Sequence, residues 1–129
     1  MTEPAPSSAV PLSSEDARLL AELGFLGVSR GMAREADAVF KALALARPGG
    51  EAAAIGRALV LMGAGDARAA AAILRNAPPT DAVAAFTALA LARAGEREDA
   101  AERLEDVADG SGPVAEMARE ALRDVDGGH

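Results

Sequence analysis

The 129-residue chain contains no cysteine, which removes a disulfide framework, a thiolate metal site and a cysteine nucleophile together. Tryptophan and tyrosine are also absent, and the only aromatic residues are Phe25, Phe40 and Phe86. A core with so few rings has to be built from closely approaching elements. The single histidine, His129, is the last residue, so no serine has a base to activate it within an ordered core. No basic run occurs and the net charge is −7, so nucleic acid and anionic membrane surfaces would both be repelled. No apolar stretch approaches the ~20 residues of a membrane span. The opening MTEPAPSSAVPL has neither a basic n-region nor an apolar h-region, so a signal peptide is not expected. These absences predict a cytoplasmic, soluble protein.

What is abundant is alanine. Half of the residues are apolar, and alanine, the strongest helix former, dominates among them. Strand-favouring side chains are scarce, so the expected fold class is all-α. The length suits one domain. Residues 1–12, with three prolines and two serines, read as a flexible N-terminal tail. A helical domain is expected over 13–125, followed by a disordered C-terminus at 126–129. Ser13 or Ser14, followed by Glu15 and Asp16, marks a helix start. Seven helices are predicted, at about 14–29, 33–46, 51–63, 66–76, 81–94, 97–108 and 113–125. The breaks are marked by Arg30-Gly31, Pro48-Gly49-Gly50, Gly63-Ala64-Gly65, Pro78-Pro79, Gly95 and Gly110-Ser111-Gly112.

One phrase recurs: RGMAREADAVF at 30–40, AGDARAAAAIL at 64–74 and AGEREDAAERL at 94–104. Its glycines, Gly31, Gly65 and Gly95, stand 34 residues apart (31 to 65) and then 30 (65 to 95). Five residues after each comes Ala36, Ala70 or Ala100; four further on comes Phe40, Leu74 or Leu104. Seven residues before each stands a small residue, Gly24, Ala58 or Ala88. This pattern resembles the tetratricopeptide repeat, a helix–turn–helix unit of about 34 residues. The resemblance implies a solenoid of about three repeats plus a C-terminal capping helix. The small residues would let paired helices approach, and the large one would fill the gap to the next unit. Val114, Met117, Ala118, Ala121, Leu122 and Val125 make a stripe suited to closing the open end.

In such repeats a ligand meets positions three before, one after and four after the small residue of the first helix. Here these are Ala21, Phe25 and Val28, then Ile55, Leu59 and Met62, then Ala85, Leu89 and Ala92. All nine are apolar, so the Lys, Arg and Asn of a clamp for an acidic C-terminal tail are missing. A row of nine apolar residues on a concave face exceeds what a monomer normally exposes. It suits the apolar side of an amphipathic helix, across an interface of about 1,600 Å².

The run LLAELGFLGVSRGMAREADAVFKAL (19–43) with ALVLMGAGDARAAAAIL (58–74) resembles the needle-subunit chaperones of bacterial type III secretion systems. The points of likeness are the LLAE opening, the Gly24/Gly27 spacing, Glu35-Ala36, Leu61-Met62 and Gly65-Asp66. This resemblance, over roughly 19–125, implies a cytoplasmic chaperone that holds the helical needle subunit as a monomer and prevents premature polymerisation. The nine-residue groove would cover the subunit's amphipathic helix, and a second small helical chaperone would complete a heterotrimer. The alternatives are a repeat chaperone for translocator proteins, which holds an extended segment, and a self-associating scaffold.

Catalysis is not expected, and neither is a cofactor. Asp124 and Asp126 with His129, in DVDGGH, lack the further ligands and terminal Glu of an EF-hand. In AGEREDAAERLED, Glu98, Glu102 and Glu105 interleave with Arg97 and Arg103 as a solvated face. MGAGD follows a helix rather than a strand, so it reads as a turn and not a phosphate loop.

Overall fold

A computed structural model describes residues 12–127. The described chain is entirely helical: α1 Ser14–Ser29, α2 Ala33–Ala46, α3 Glu51–Gly63, α4 Ala67–Arg75, α5 Asp81–Arg93, α6 Arg97–Ala108 and α7 Pro113–Gly127. The expected flexible tail lies outside the described residues except for Leu12, which is half-buried against the first helices. The last helix extends to Gly127, two residues beyond the expected end (125 to 127).

The recurring phrase is a turn made three times with the same hydrogen bonds. At the end of α1, Gly31 N–H donates to Val28 C=O and Met32 N–H to Gly27 C=O. After α3, Gly65 donates to Met62 and Asp66 to Leu61; after α5, Gly95 donates to Ala92 and Glu96 to Leu91. This is the paired-bond Schellman closure, in which the residue after the helix end adopts a left-handed conformation. Gly31, Gly65 and Gly95 have φ of 77°, 87° and 90°, values that glycine reaches without a Cβ penalty. The next residue (Met32, Asp66 or Glu96) is at once the N-cap of the following helix. No linker separates the two helices of a unit.

The three copies also agree in burial. Gly24, Ala58 and Ala88, then Ala36, Ala70 and Ala100, then Phe40, Leu74 and Leu104 are all buried. Gly24 is small for a reason other than the expected backbone approach. A Cβ there would lie 2.6 Å from Cζ of Phe40, so this glycine makes room for a ring.

Each helix packs on the next, and α1 also touches α3, α3 touches α5, and α5 touches α7. Among the described residues no two even-numbered helices approach at the backbone, and the backbones of α1 and α2 stay clear of α5, α6 and α7. The chain is therefore a succession of neighbours and not a closed bundle. Two contacts fix the helix directions. Thr80, the N-cap of α5, donates its hydroxyl to the Glu51 carboxylate at the start of α3. At the other end, Arg68 near the start of α4 pairs with Glu96, the N-cap of α6, at 3.2 Å. Thus α3 and α5 run the same way, as do α4 and α6.

Two apolar clusters form the interior. One gathers Ala21, Ala36, Phe40, Leu43 and Ala53 from α1–α3, and the other extends from Ile55 to Ala118 through α3–α7. Phe25 packs against both. In α7 the buried positions include Ala115 and Ala118, whereas Met117, expected in the apolar stripe, is exposed. The face that meets α5 and α6 is centred on Ala115, Ala118 and Leu122, at i, i+3 and i+7, and Met117 falls off its edge.

Candidate functional site: the odd-helix row

The nine groove positions come from α1, α3 and α5, the helices that stand side by side. On each they recur at i, i+4 and i+7, which one face of a helix brings into line. The structure divides them by depth. Ala21, Ile55 and Met62 are buried and belong to the interior clusters. Phe25, Val28, Leu59, Ala85 and Ala92 are half-buried, and Leu89, 37% exposed, is the most open of the nine. The row is thus a core edge on one side and a surface on the other.

Phe25, Leu59 and Ala92 pack against the same large cluster that holds Ile55 and Met62. Ala21, Val28 and again Phe25 gather on the smaller one. Ala85 and Leu89 join neither cluster. Phe25 also meets Phe40 edge-on, with ring centroids 4.9 Å apart and planes at 60°, the arrangement that aromatic quadrupoles favour. Its ring therefore supports the first repeat as well as bordering the row.

A recess of about 350 Å³ opens between the start of α1, the end of α2 and the start of α3. Arg18, Leu43, Arg47 and Glu51 line it, and of the nine row residues it takes in Ala21 alone. It lies beside the row and not along it.

Residues weighed for other chemistry have structural employment. Ser13 Oγ accepts from Asp16 N–H at 3.0 Å as the α1 cap, and Ser29 Oγ donates to Leu26 C=O at 2.8 Å. The charged residues of α6, Arg97, Glu98, Glu102, Arg103 and Glu105, are all exposed. The side chains of Asp124, Asp126 and His129 lie outside the described residues. Among the described residues no group of three His, Cys, Asp or Glu side chains could hold a metal ion. No helix among them is long and apolar enough to cross a membrane.

Two features escaped the sequence reading. Leu19, Leu23 and Leu26 are 65%, 53% and 48% exposed on α1, although leucines there would ordinarily be counted as core. Their i, i+4, i+7 spacing on α1, the first of the described helices, was the available signal. Gly56 is the other. It is buried in the middle of α3 beneath the Phe40 ring, and a lone glycine inside a helical pattern is its only mark in the sequence. In comparisons with known proteins, the chain matches no family model, no curated protein and no solved structure at a significant level.

Proposed function

We propose that the chain is a tetratricopeptide-repeat-like solenoid that binds an amphipathic helix of a protein partner along the odd-helix row. The observation that carries this reading is that the backbones of α1, α3 and α5 approach one another in one row, whereas those of α2, α4 and α6 do not. A stack of this kind curves toward its touching side, which makes the row the concave face. Phe25, Leu59, Leu89 and Ala92 offer apolar surface along it, the chemistry that suits the buried face of a partner helix.

The sequence likeness to type III needle-subunit chaperones supplies the particular function. The chain holds the helical needle subunit as a monomer in the bacterial cytoplasm, together with a second small helical chaperone, until secretion. A native pull-down from the source bacterium with intact-mass measurement tests this. Two short helical proteins at equal stoichiometry are the expected result. A large membrane-active protein would instead indicate a translocator chaperone, and recovery of this chain alone would remove the reading.

A further inference from the structure

We propose that two copies of this chain form a symmetric dimer through the leucine face of α1, with the two α1 helices antiparallel. The inference rests on α1 alone and does not depend on what occupies the odd-helix row.

The repeat register identifies this face as an unfilled packing position. Leu19, Leu23 and Leu26 stand five before, one before and two after the small residue Gly24. The same offsets from Ala88 give Val83, Thr87 and Ala90, all buried, and from Ala58 they give Ala53, buried, with Arg57 and Val60 half-buried. Val83 and Thr87 line one recess with Leu74 and Arg75 of the preceding helix, α4. On α1 no described helix precedes, and the side chains at these positions are larger than on α5. Three leucines on one helix face, each about half or more exposed, form the kind of contiguous apolar patch that a partner covers.

The charges beside the patch select the partner. Glu15 and Asp16 flank its beginning, and Arg30 closes its end. None of the three makes an ion pair within the chain among the described residues. Setting Leu23 against Leu23 of a second copy in antiparallel fashion brings Leu19 opposite Leu26 of that copy. The same register brings Asp16 opposite Arg30. A parallel pairing would instead place like charges together. The pattern is therefore self-complementary about a two-fold axis, the requirement for an isologous interface. The symmetry also makes one unfavourable neighbour. Glu22, on the flank of the stripe, comes to lie beside Glu22 of the other copy.

Sedimentation equilibrium of the full chain across the micromolar range tests the proposal, with circular dichroism monitoring the fold of each variant. The unaltered chain is expected to dimerise, Leu23→Asp to be monomeric with unchanged helicity, and Glu22→Gln to dimerise several-fold more tightly. Charge reversal separates this interface from any other. Arg30→Glu alone, and the double variant Glu15→Arg/Asp16→Arg alone, should each lose most dimer. Mixing the two should restore it as a heterodimer, because each acidic end then faces a basic one. A chain that stays monomeric throughout overturns the proposal. So does a dimer indifferent to Leu23→Asp, or charge variants that do not rescue one another.

Discussion

The ring of Phe40 on α2 fills the space above Gly56 on α3: a Cβ at Gly56 would lie 2.2 Å from Cε1, 2.3 Å from Cζ and 2.4 Å from Cδ1. A second glycine, Gly24 on α1, makes the same allowance on the other side. One phenyl group thus joins three helices, and two glycines are fixed by its bulk.

Gly56→Ala is expected to destabilise the fold although alanine is the better helix former. The propensity gain is at most about 1 kcal/mol, while overpacking a filled core costs about 1–3 kcal/mol. Contacts this short put the site at the upper end. Urea unfolding will measure the loss. In a Phe40→Leu background the same substitution should cost markedly less, because the two sites share one volume.

Phe40→Ala should cost about 3–5 kcal/mol. Phe40 is completely buried, and its loss also removes the edge contact that orients Phe25. Thermal denaturation checks the magnitude, and a change of less than 1 kcal/mol would mean the ring is not the junction described.

Two glycines two residues apart should respond with opposite signs. Gly63 ends α3 with open space where a Cβ would stand, so Gly63→Ala should stabilise by about 0.4–1 kcal/mol through the unfolded chain. Gly65 has φ of 87°, and Gly65→Ala should cost about 1–2 kcal/mol for the left-handed backbone. Equal effects of both in denaturant titrations would contradict the turn geometry.

Thr80→Ala removes a cap and an inter-helix bond together. Thr80 Oγ1 accepts from Val83 N–H at 3.2 Å and donates to Glu51. The cap alone is worth about 1 kcal/mol. Thr80→Ser should retain most of that stability, since the hydroxyl survives, and the pair of melting curves will show it.

Partner binding is best tested at Leu89, the most open residue of the row. Leu89→Asp should weaken capture of a partner helix by at least tenfold while leaving helicity intact. Phe25→Asp is the poorer test, because it also places a charge against Phe40, and Leu59→Asp likewise disturbs a residue packed on the large cluster. Unchanged binding by Leu89→Asp, measured by isothermal titration, would remove the row as the binding surface.

Much of the helical architecture was legible because its signals are local. Gly31, Gly65 and Gly95 each close a helix through bonds reaching no more than five residues back, and the recurring small and large positions follow from helical periodicity. Ser13, Asp66 and Thr80 cap their helices through a neighbour three residues on. What the sequence could not rank was depth. Ala21, Ile55, Met62 and Leu89 belong to the same row, yet three are interior and one is open, because burial depends on how near the next odd helix comes.

The sequence by itself determined the seven helices, the thrice-made turn and the buried register, since backbone hydrogen bonding and apolar spacing act over a few residues. Only the tertiary structure decided that Phe40 lodges between Gly24 and Gly56, that Phe25 braces the core as well as bordering the row, and that Leu19, Leu23 and Leu26 are left uncovered. Those outcomes depend on which helices become neighbours across distances that no local pattern encodes.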